Sequence, residues 1–294
     1  MKIGIIGAGS IGLLTGAYLG ENHEIHMFVR NERQKQILKT EGIVCDGLPS
    51  PTSVHAHMHT TVHEGFDLWI VTVKQHSLPA LLAEQLPKDA PYLFLQNGMG
   101  HLAKIQETNL SSYVGVVEHG ALATADNKVS HTGKGNIQLA AFTHVEEHGV
   151  QPLAETLHRR DFPFIPQEDY ERMLKNKIVI NTVINSLTAL FFQPNHSILT
   201  NPSMRELAYS LCEEACTVLG MSIEKEWERV KQIAEITGEN QSSMLKDLLE
   251  NRLTEIDSIS GYVLRKSKGP LPYHQFVVRA IHALEYERGL RRYG

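Results

Sequence analysis

A glycine-rich turn near the start of the chain restricts its fold more than any other feature. A short apolar strand, residues 2–6, is followed by Gly7-Ala8-Gly9-Ser10-Ile11-Gly12 and then by helical spacing over residues 13–19. Between a strand and a helix, such glycines permit a tight turn, a close approach of a pyrophosphate and close packing of the helix. The phosphates would meet the free N–H groups at the positive end of the helix. This turn predicts a dinucleotide-binding domain, and the alternative is a glycine-rich turn without a ligand.

The end of the next predicted strand, residues 24–29, bears on which dinucleotide is bound. Arg30 stands where NAD-binding domains place a carboxylate for the ribose hydroxyl. An arginine can instead pair with a 2′-phosphate through two hydrogen bonds. Arg30 therefore favours NADP(H), although Glu32 follows closely and a merely solvated Arg30 is the alternative.

Strands and helical segments alternate through the first half of the chain. Buried-type strands are predicted at residues 66–73, 92–95, 114–117 and 136–140, with a helix at 78–86. This alternation indicates a doubly wound, parallel α/β sheet. Lys74 and Asn97 follow two of these strands, and ligands of such sheets bind at the carboxyl ends of the strands. Both residues could reach a cofactor or substrate, while Lys74 could also be an ordinary loop lysine.

Histidines recur in a less regular region with predicted strands at 42–45 and 52–55. His55, His57 and His59 alternate, with His63 close behind, so the first three would share one face of a strand. No cysteine or carboxylate in this segment completes a tetrahedral metal site. We therefore expect an exposed histidine-rich edge and no metal.

Strand signals end near residue 166, and the remaining chain is predicted to be helical. The sequence predicts a sheet domain at 1–166 and a helical domain at 167–294. Helices are expected at 174–192, 202–220, 224–236, 245–266 and 276–287, and Asn201-Pro202 looks like a helix cap.

The predicted helix at 174–192 is almost wholly apolar, but Lys177, Asn181 and Asn185 recur at every fourth position. Residues at this spacing share one helix face. Buried amides and a buried charge need partners, so the stripe is either a structural seam or the wall of a site. Glu255, beside an apolar face of the predicted helix 245–266, is either an ordinary exposed helix acid or the partner of Lys177 in an acid–base pair.

Composition excludes several classes of function. A net charge of −5 offers no basic surface for nucleic acid or anionic membrane. Three cysteines are too few for a disulfide framework, and no segment looks like a signal peptide or a membrane span. We expect a cytoplasmic protein with a small-molecule substrate, and the sequence leaves monomer and homodimer open.

Eight stretches spread over both halves carry a family resemblance. They are Gly7–Gly12, Arg30, Val71–Lys74, Asn97–Gly100, Lys177–Ala189, Pro194-Asn195, Glu239–Met244 and Thr254–Asp257. In this order they resemble the ketopantoate reductase (2-dehydropantoate 2-reductase) family. The resemblance implies a Rossmann-type domain joined to an all-α domain like that of 6-phosphogluconate dehydrogenase. It also implies reduction of 2-dehydropantoate to (R)-pantoate with NADPH, on the route to pantothenate and coenzyme A.

The resemblance assigns roles to individual residues. Lys177 would be the general acid, and Glu255 would bind the substrate and position the lysine. Substrate contacts are implied for Asn97, Asn181, Asn185 and Ser243, with less definite roles for Asn195 and Asn240. Arg30 and Lys74 would contact the 2′-phosphate side of the cofactor, and Asn97 would also line the nicotinamide. The alternatives are a related reductase for another branched 2-oxo acid and a non-catalytic NADP(H) sensor.

Overall fold

The computed structural model describes residues 1–292 of the 294-residue chain. Two compact units are present. The first comprises Met1–Gln96 and His101–Met173, and the second comprises Asn97–Gly100 and the chain from Leu174 onward. The short segment Asn97–Gly100 therefore belongs to the second unit although it lies in the first third of the sequence. The predicted boundary after residue 166 remains a prediction.

The first unit is built on two sheets. Its strands are β1 (Lys2–Ile6), β2 (Glu24–Val29), β3 (Val44–Cys45), β4 (His55–Met58), β5 (Leu68–Val71), β6 (Tyr92–Phe94), β7 (Ser112–Val117), β8 (Gly120–Ala125), β9 (Lys128–Gly133), β10 (Ile137–Thr143) and β11 (Phe164–Pro166). Its helices are α1 (Ser10–Leu19), α2 (Glu32–Glu41), α3 (Leu78–Leu82), α4 (Leu102–Gln106) and α5 (Val150–Leu157).

The main sheet has the order β11-β10-β7-β6-β5-β1-β2-β4, and β3, β9 and β8 form a small second sheet. From β4 to β7 all neighbours are parallel. All four residues of β5 and all three of β6 are buried, as expected for strands that are covered on both faces. The predicted α/β fold with a parallel sheet is confirmed.

The second unit is helical. It contains most of α6 (Tyr170–Phe191), together with α7 (Ser197–Thr200), α8 (Pro202–Leu219), α9 (Ile223–Ile236), α10 (Ser243–Leu249), α11 (Ser260–Lys266) and α12 (Pro272–Glu287). Asn201 caps α8 as predicted, because its side chain accepts a hydrogen bond from the backbone N–H of Met204. Within residues 1–292, no helix has both the length and the apolarity that a membrane span requires.

Several predicted elements were wrong in extent or type. The helix expected at 245–266 is two helices, α10 and α11, and Glu255 lies in the non-helical segment between them. The helix expected at 78–86 ends at Leu82, and the strand expected at 52–55 is instead β4, at His55–Met58. Strand β10 runs antiparallel to β7. The hairpin of β8 and β9 was not predicted.

Candidate functional site

The glycine-rich turn has the geometry that a phosphate-binding loop requires. Gly7 has a φ of +108°, which side chains rarely adopt, and a Cβ on Gly12 would overlap the carbonyl oxygen of Gly7. At Gly9, in contrast, an added Cβ would meet no atom within 4 Å. Gly9 is also the N-cap of α1 and provides no side-chain cap. The loop therefore leaves room beside the N-terminal turn of α1, where an anion is favoured by the helix dipole.

A cavity of about 280 Å³ lies beside this turn. Its walls include Gly7, Ala8 and Gly9, together with Arg30 and Lys74 from the segments that follow β2 and β5. Arg30 and Lys74, which are both predicted to contact the cofactor, therefore line the same cavity as the predicted phosphate-binding loop. A dinucleotide fits this residue set because backbone N–H groups and cations are the groups that bind phosphates.

Hydrogen bonds to neighbouring residues hold Arg30 and the glycine-rich turn in place. Arg30 Nη1 donates a 3.3 Å hydrogen bond to Ser77 Oγ, and Thr72 Oγ1 donates to the carbonyl oxygen of Gly7 at 2.9 Å. Ser10 Oγ accepts a hydrogen bond from the backbone N–H of Ala123, and Ile11 packs against the core of this unit. These two loop residues have structural contacts in addition to their predicted place at the cofactor.

Glu32, the acidic residue that closely follows Arg30 in the sequence, forms its side-chain contacts within α2. Glu32 Oε1 lies 2.7 Å from Lys35 Nζ and 2.9 Å from the side-chain nitrogen of Gln36, both on α2. Of the described acids, Glu84 lines the cavity and Glu32 does not. The carboxylate of Glu32 is therefore paired within its own helix.

In the second unit, α6 carries the predicted polar stripe. Lys177 is half-buried, while Asn181 and Asn185 are buried, in a helix whose residues 178–189 are all buried. Asn185 Nδ2 donates a 3.3 Å hydrogen bond to Ser243 Oγ, at the start of α10. Two predicted substrate residues are thus neighbours, although they are 58 positions apart in sequence.

A second polar stripe on α6, which the sequence reasoning missed, fixes the rotation of the helix. Thr182 Oγ1 and Ser186 Oγ lie 2.6 Å and 3.0 Å from Ser260 Oγ of α11. Thr182 Oγ1 also lies 3.1 Å from His274 Nε2, and His274 Nδ1 lies 2.7 Å from Glu214 Oε2. The four-residue spacing of Thr182 and Ser186 was the available signal. Because these groups are buried, their hydrogen bonds hold the Lys177 face of α6 in one orientation.

The segment that carries Glu255 is held from both sides. Thr254 donates from its backbone N–H and its hydroxyl to Glu285 Oε1, at 2.9 Å and 2.6 Å. Arg291 joins Glu285 Oε2 to Asp257 Oδ2, with distances of 2.7 Å and 2.6 Å. Burial alone would raise the pKa of Asp257, but Arg291 and His282 outweigh it and lower the pKa. Asp257 is therefore ionised at neutral pH. Thr254, Glu285, Arg291 and Asp257 together form a hydrogen-bonded clamp on the Glu255 segment.

Glu255 itself contacts the loop that follows β6. Asn97 Nδ2 donates a 2.8 Å hydrogen bond to Glu255 Oε2. Gly98 has a φ of +82°, and a Cβ there would overlap the carbonyl oxygen of Ser258. Glycine at this position therefore lets residues 97–100 pack closely against the Glu255 segment.

Asn195 and Asn240 connect two turns of the second unit. The backbone N–H of Asn195 donates to the carbonyl oxygen of Asn240 at 3.0 Å, and Asn195 Nδ2 donates to Thr237 Oγ1 at 2.9 Å. Asn195 is buried and Asn240 is exposed. These contacts give Asn195 a structural role, and a role of either residue in substrate binding remains a prediction, as does the pairing of Lys177 with Glu255.

Comparison with known families decides the class of this protein. Residues 3–144 match the family model described as ketopantoate reductase PanE/ApbA, and residues 169–285 match the model of its C-terminal domain. The chain belongs to the ketopantoate reductase family. The predicted oxidoreductase class and nicotinamide cofactor are confirmed by this membership.

Individual relatives cover almost the whole chain. A 2-dehydropantoate 2-reductase of Bacillus subtilis is 39% identical, over 97% of this chain and 98% of the relative. One of Listeria innocua is 32% identical, over 98% of both chains. The crystal structure of a probable 2-dehydropantoate 2-reductase from Bacillus subtilis has a TM-score of 0.86 and 38% identity, covering 97% of this chain and 100% of that one.

Proposed function

We propose that this protein reduces 2-dehydropantoate to (R)-pantoate with NADPH, in the cytoplasm, as a step toward pantothenate and coenzyme A. The hydrogen bond from Asn97 to Glu255 carries the proposal, because it joins two residues that the family resemblance assigns to the site. The likeness to curated 2-dehydropantoate 2-reductases over nearly the full chain supports the substrate.

The proposed cofactor preference rests on the charges around the cavity. Arg30 and Lys74 line it beside the glycine-rich turn, while Glu32 is paired with Lys35. Two cations suit the extra phosphate of NADP(H), whereas a carboxylate in the position of Arg30 would repel it. NADPH, when bound, supplies the hydride.

The remaining chemistry is assigned to side chains of the second unit. Hydride addition to a 2-oxo acid leaves negative charge on the carbonyl oxygen, and a nearby ammonium stabilises that charge and can protonate it. Lys177 is the cation of the α6 stripe and takes this role. Glu255, held by the clamp around Thr254 and Asp257, positions Lys177 and the substrate.

The amides and the serine suit recognition of a small polar acid. Asn181, Asn185 and Ser243 offer both donors and acceptors, so they can bind a hydroxyl and a carboxylate without adding a competing charge. A site that hydrogen-bonds a substrate hydroxyl discriminates strongly against analogues that lack it, because its own polar groups would be left unpaired.

A substrate panel tests this proposal. Purified protein is given NADPH or NADH with 2-dehydropantoate and with other branched 2-oxo acids, and kcat/KM is compared. The highest value is expected for 2-dehydropantoate with NADPH. A higher value for another 2-oxo acid would reassign the substrate, and no turnover with any of them would contradict a catalytic function.

A further inference from the structure

The edge of the main sheet brings histidines and a carboxylate onto one face. Strand β4 is the edge strand and runs parallel to β2, with His26 opposite His55 and Phe28 opposite His57. Alternate residues of a strand share a face, so Glu24 and His26 of β2 lie on the same side as His55 of β4. The exposed histidine-rich edge predicted from the sequence is therefore present, and β2 supplies the carboxylate that the histidine segment lacked.

The three side chains place their ligand atoms close together. Glu24 Oε1 lies 2.8 Å from His26 Nε2 and 4.0 Å from His55 Nε2, and all three ligand atoms lie within 4.8 Å of one another. In a tetrahedral zinc site with bonds of about 2.0–2.1 Å, two ligand atoms are separated by about 3.3 Å. Small side-chain rotations give this separation, and the side chains of Glu24 and His55 are 53% and 64% exposed and can turn.

The surroundings of His26 are those of an oriented metal ligand. Its second ring nitrogen, Nδ1, lies 2.9 Å from His57 Nε2, and its ring packs edge-on against Phe66 at 5.0 Å. Metal-binding histidines commonly hydrogen-bond through the other ring nitrogen, which fixes the tautomer and the ring plane. His26 is buried, so these contacts hold it in place before any ion arrives.

A neighbouring lysine limits the affinity of this site for a cation. The ammonium of Lys2 lies over the Phe66 ring at 4.7 Å. Its positive charge repels a metal ion bound beside it. We therefore expect affinity below that of a closed four-ligand zinc site.

We propose that Glu24, His26 and His55 bind one zinc-like divalent transition-metal ion, with water in the remaining position. The ion would join edge strand β4 to β2. Glu24 and His26 precede Arg30 by six and four residues along β2, so the site lies roughly 13–20 Å from the predicted 2′-phosphate contact at about 3.3 Å per strand residue. Binding of the ion is therefore a property separate from the reductase reaction.

Metal titration of the full chain, purified without a histidine tag and treated with a chelator, tests the site. Calorimetry with Zn²⁺ should give one equivalent bound, and Co²⁺ should give the absorption of a tetrahedral site. His55→Ala and Glu24→Gln change exposed side chains and should weaken binding at least tenfold. His63→Ala alters an exposed neighbouring histidine whose ring contacts His57 and Phe66 and should bind as the unaltered protein does.

A thermal melt gives a second readout. Zn²⁺ should raise the melting temperature of the unaltered protein and of His63→Ala, because ligands that bind the folded state stabilise it. It should not raise that of His55→Ala. Equal Zn²⁺ affinity in His55→Ala and the unaltered protein would overturn the proposal, as would the absence of stoichiometric binding.

Discussion

Asn97 Nδ2 donates a 2.8 Å hydrogen bond to Glu255 Oε2, joining residues 158 positions apart in the sequence. Asn97 follows β6, whereas Glu255 lies between α10 and α11. Asn97→Asp would replace the donor with a second carboxylate and create repulsion at hydrogen-bond distance. We expect kcat/KM for 2-dehydropantoate to fall by roughly ten- to a hundredfold, the equivalent of about 1.4–2.7 kcal/mol.

The control for this change is Asn251→Asp, an exposed position two residues beyond α10. It adds the same charge to the same unit and should leave the rate constants within about twofold, since surface substitutions have small effects. An Asn97→Asp enzyme with unaltered kcat/KM would show that this hydrogen bond does not contribute to turnover.

We expect cofactor choice to depend on Arg30. Arg30→Ala removes a guanidinium from the cavity beside the glycine-rich turn, and we expect the KM for NADPH to rise about tenfold or more while that for NADH changes little. A hydrogen bond to a charged group is worth about 1.5–3 kcal/mol, which sets this magnitude. Arg33→Ala, which loses an exposed pair with Asp126, is the matched control. An unchanged NADPH KM in Arg30→Ala would contradict the role of Arg30.

Because Glu285 belongs to the clamp on the Glu255 segment, changing it should affect kcat and stability but not the KM for NADPH. Glu285→Gln keeps a hydrogen-bond acceptor for Thr254 but removes the charge that pairs with Arg291. Disrupting a buried ion pair costs up to about 3–5 kcal/mol, so the melting temperature should fall. We also expect kcat to fall while the KM for NADPH stays constant, because the predicted phosphate contacts (the glycine-rich turn, Arg30 and Lys74) lie in the first unit.

Glu287→Gln provides the comparison, since Glu287 is an exposed residue of the same helix, α12. Its kinetics and melting temperature should match those of the unaltered protein. If Glu285→Gln lowers stability but leaves kcat unchanged, the clamp is structural and does not position Glu255 for turnover.

Lowering the pH should destabilise the first unit, because His119 takes up a proton more readily in the unfolded chain than in the folded one. The backbone N–H of Gly135 donates to Nδ1 of this histidine at 3.1 Å, and burial, with the charge of His131, lowers its pKa from 6.5 to about 4. Between these values the unfolded chain binds a proton that the folded chain does not, so stability falls as pH falls from 6.5 to 4. Each such histidine contributes a slope of up to about 1.4 kcal/mol per pH unit.

Denaturant unfolding at pH 7 and pH 5 measures this slope. His119→Gln should lose less stability than the unaltered protein over the interval, whatever its stability at pH 7. His148→Gln, at an exposed position, should keep the full slope. Equal slopes in all three proteins would show that His119 does not take up the proton on unfolding.

Features that depend on local pattern were predictable from the sequence. The glycine-rich turn between β1 and α1 and the four-residue spacing of Lys177, Asn181 and Asn185 are set by backbone sterics and helix periodicity. Both features are in the structure as predicted. The position of Lys74 and Asn97 after β5 and β6 follows in the same way from the alternation of strands and helices.

Features that depend on distant partners were not predictable. Apolar periodicity continues through residues 253–259 and favours a helix, but Asn251 has a positive φ of 53° and Thr254 bonds to the buried Glu285. The β8–β9 hairpin likewise depends on Asn127, which is buried and donates to the carbonyl oxygen of Gly42 at 2.9 Å. In both cases tertiary contacts override local propensity.

Lys177→Ala tests the central claim most directly. Steady-state oxidation of NADPH with saturating 2-dehydropantoate is measured for the unaltered protein, for Lys177→Ala and for Lys225→Ala, an exposed lysine of α9. Loss of a general acid lowers kcat by about 10²–10⁴-fold, so Lys177→Ala should be nearly inactive and Lys225→Ala fully active. A Lys177→Ala protein that turns over at the rate of the unaltered protein would contradict the assignment of Lys177 as the proton donor.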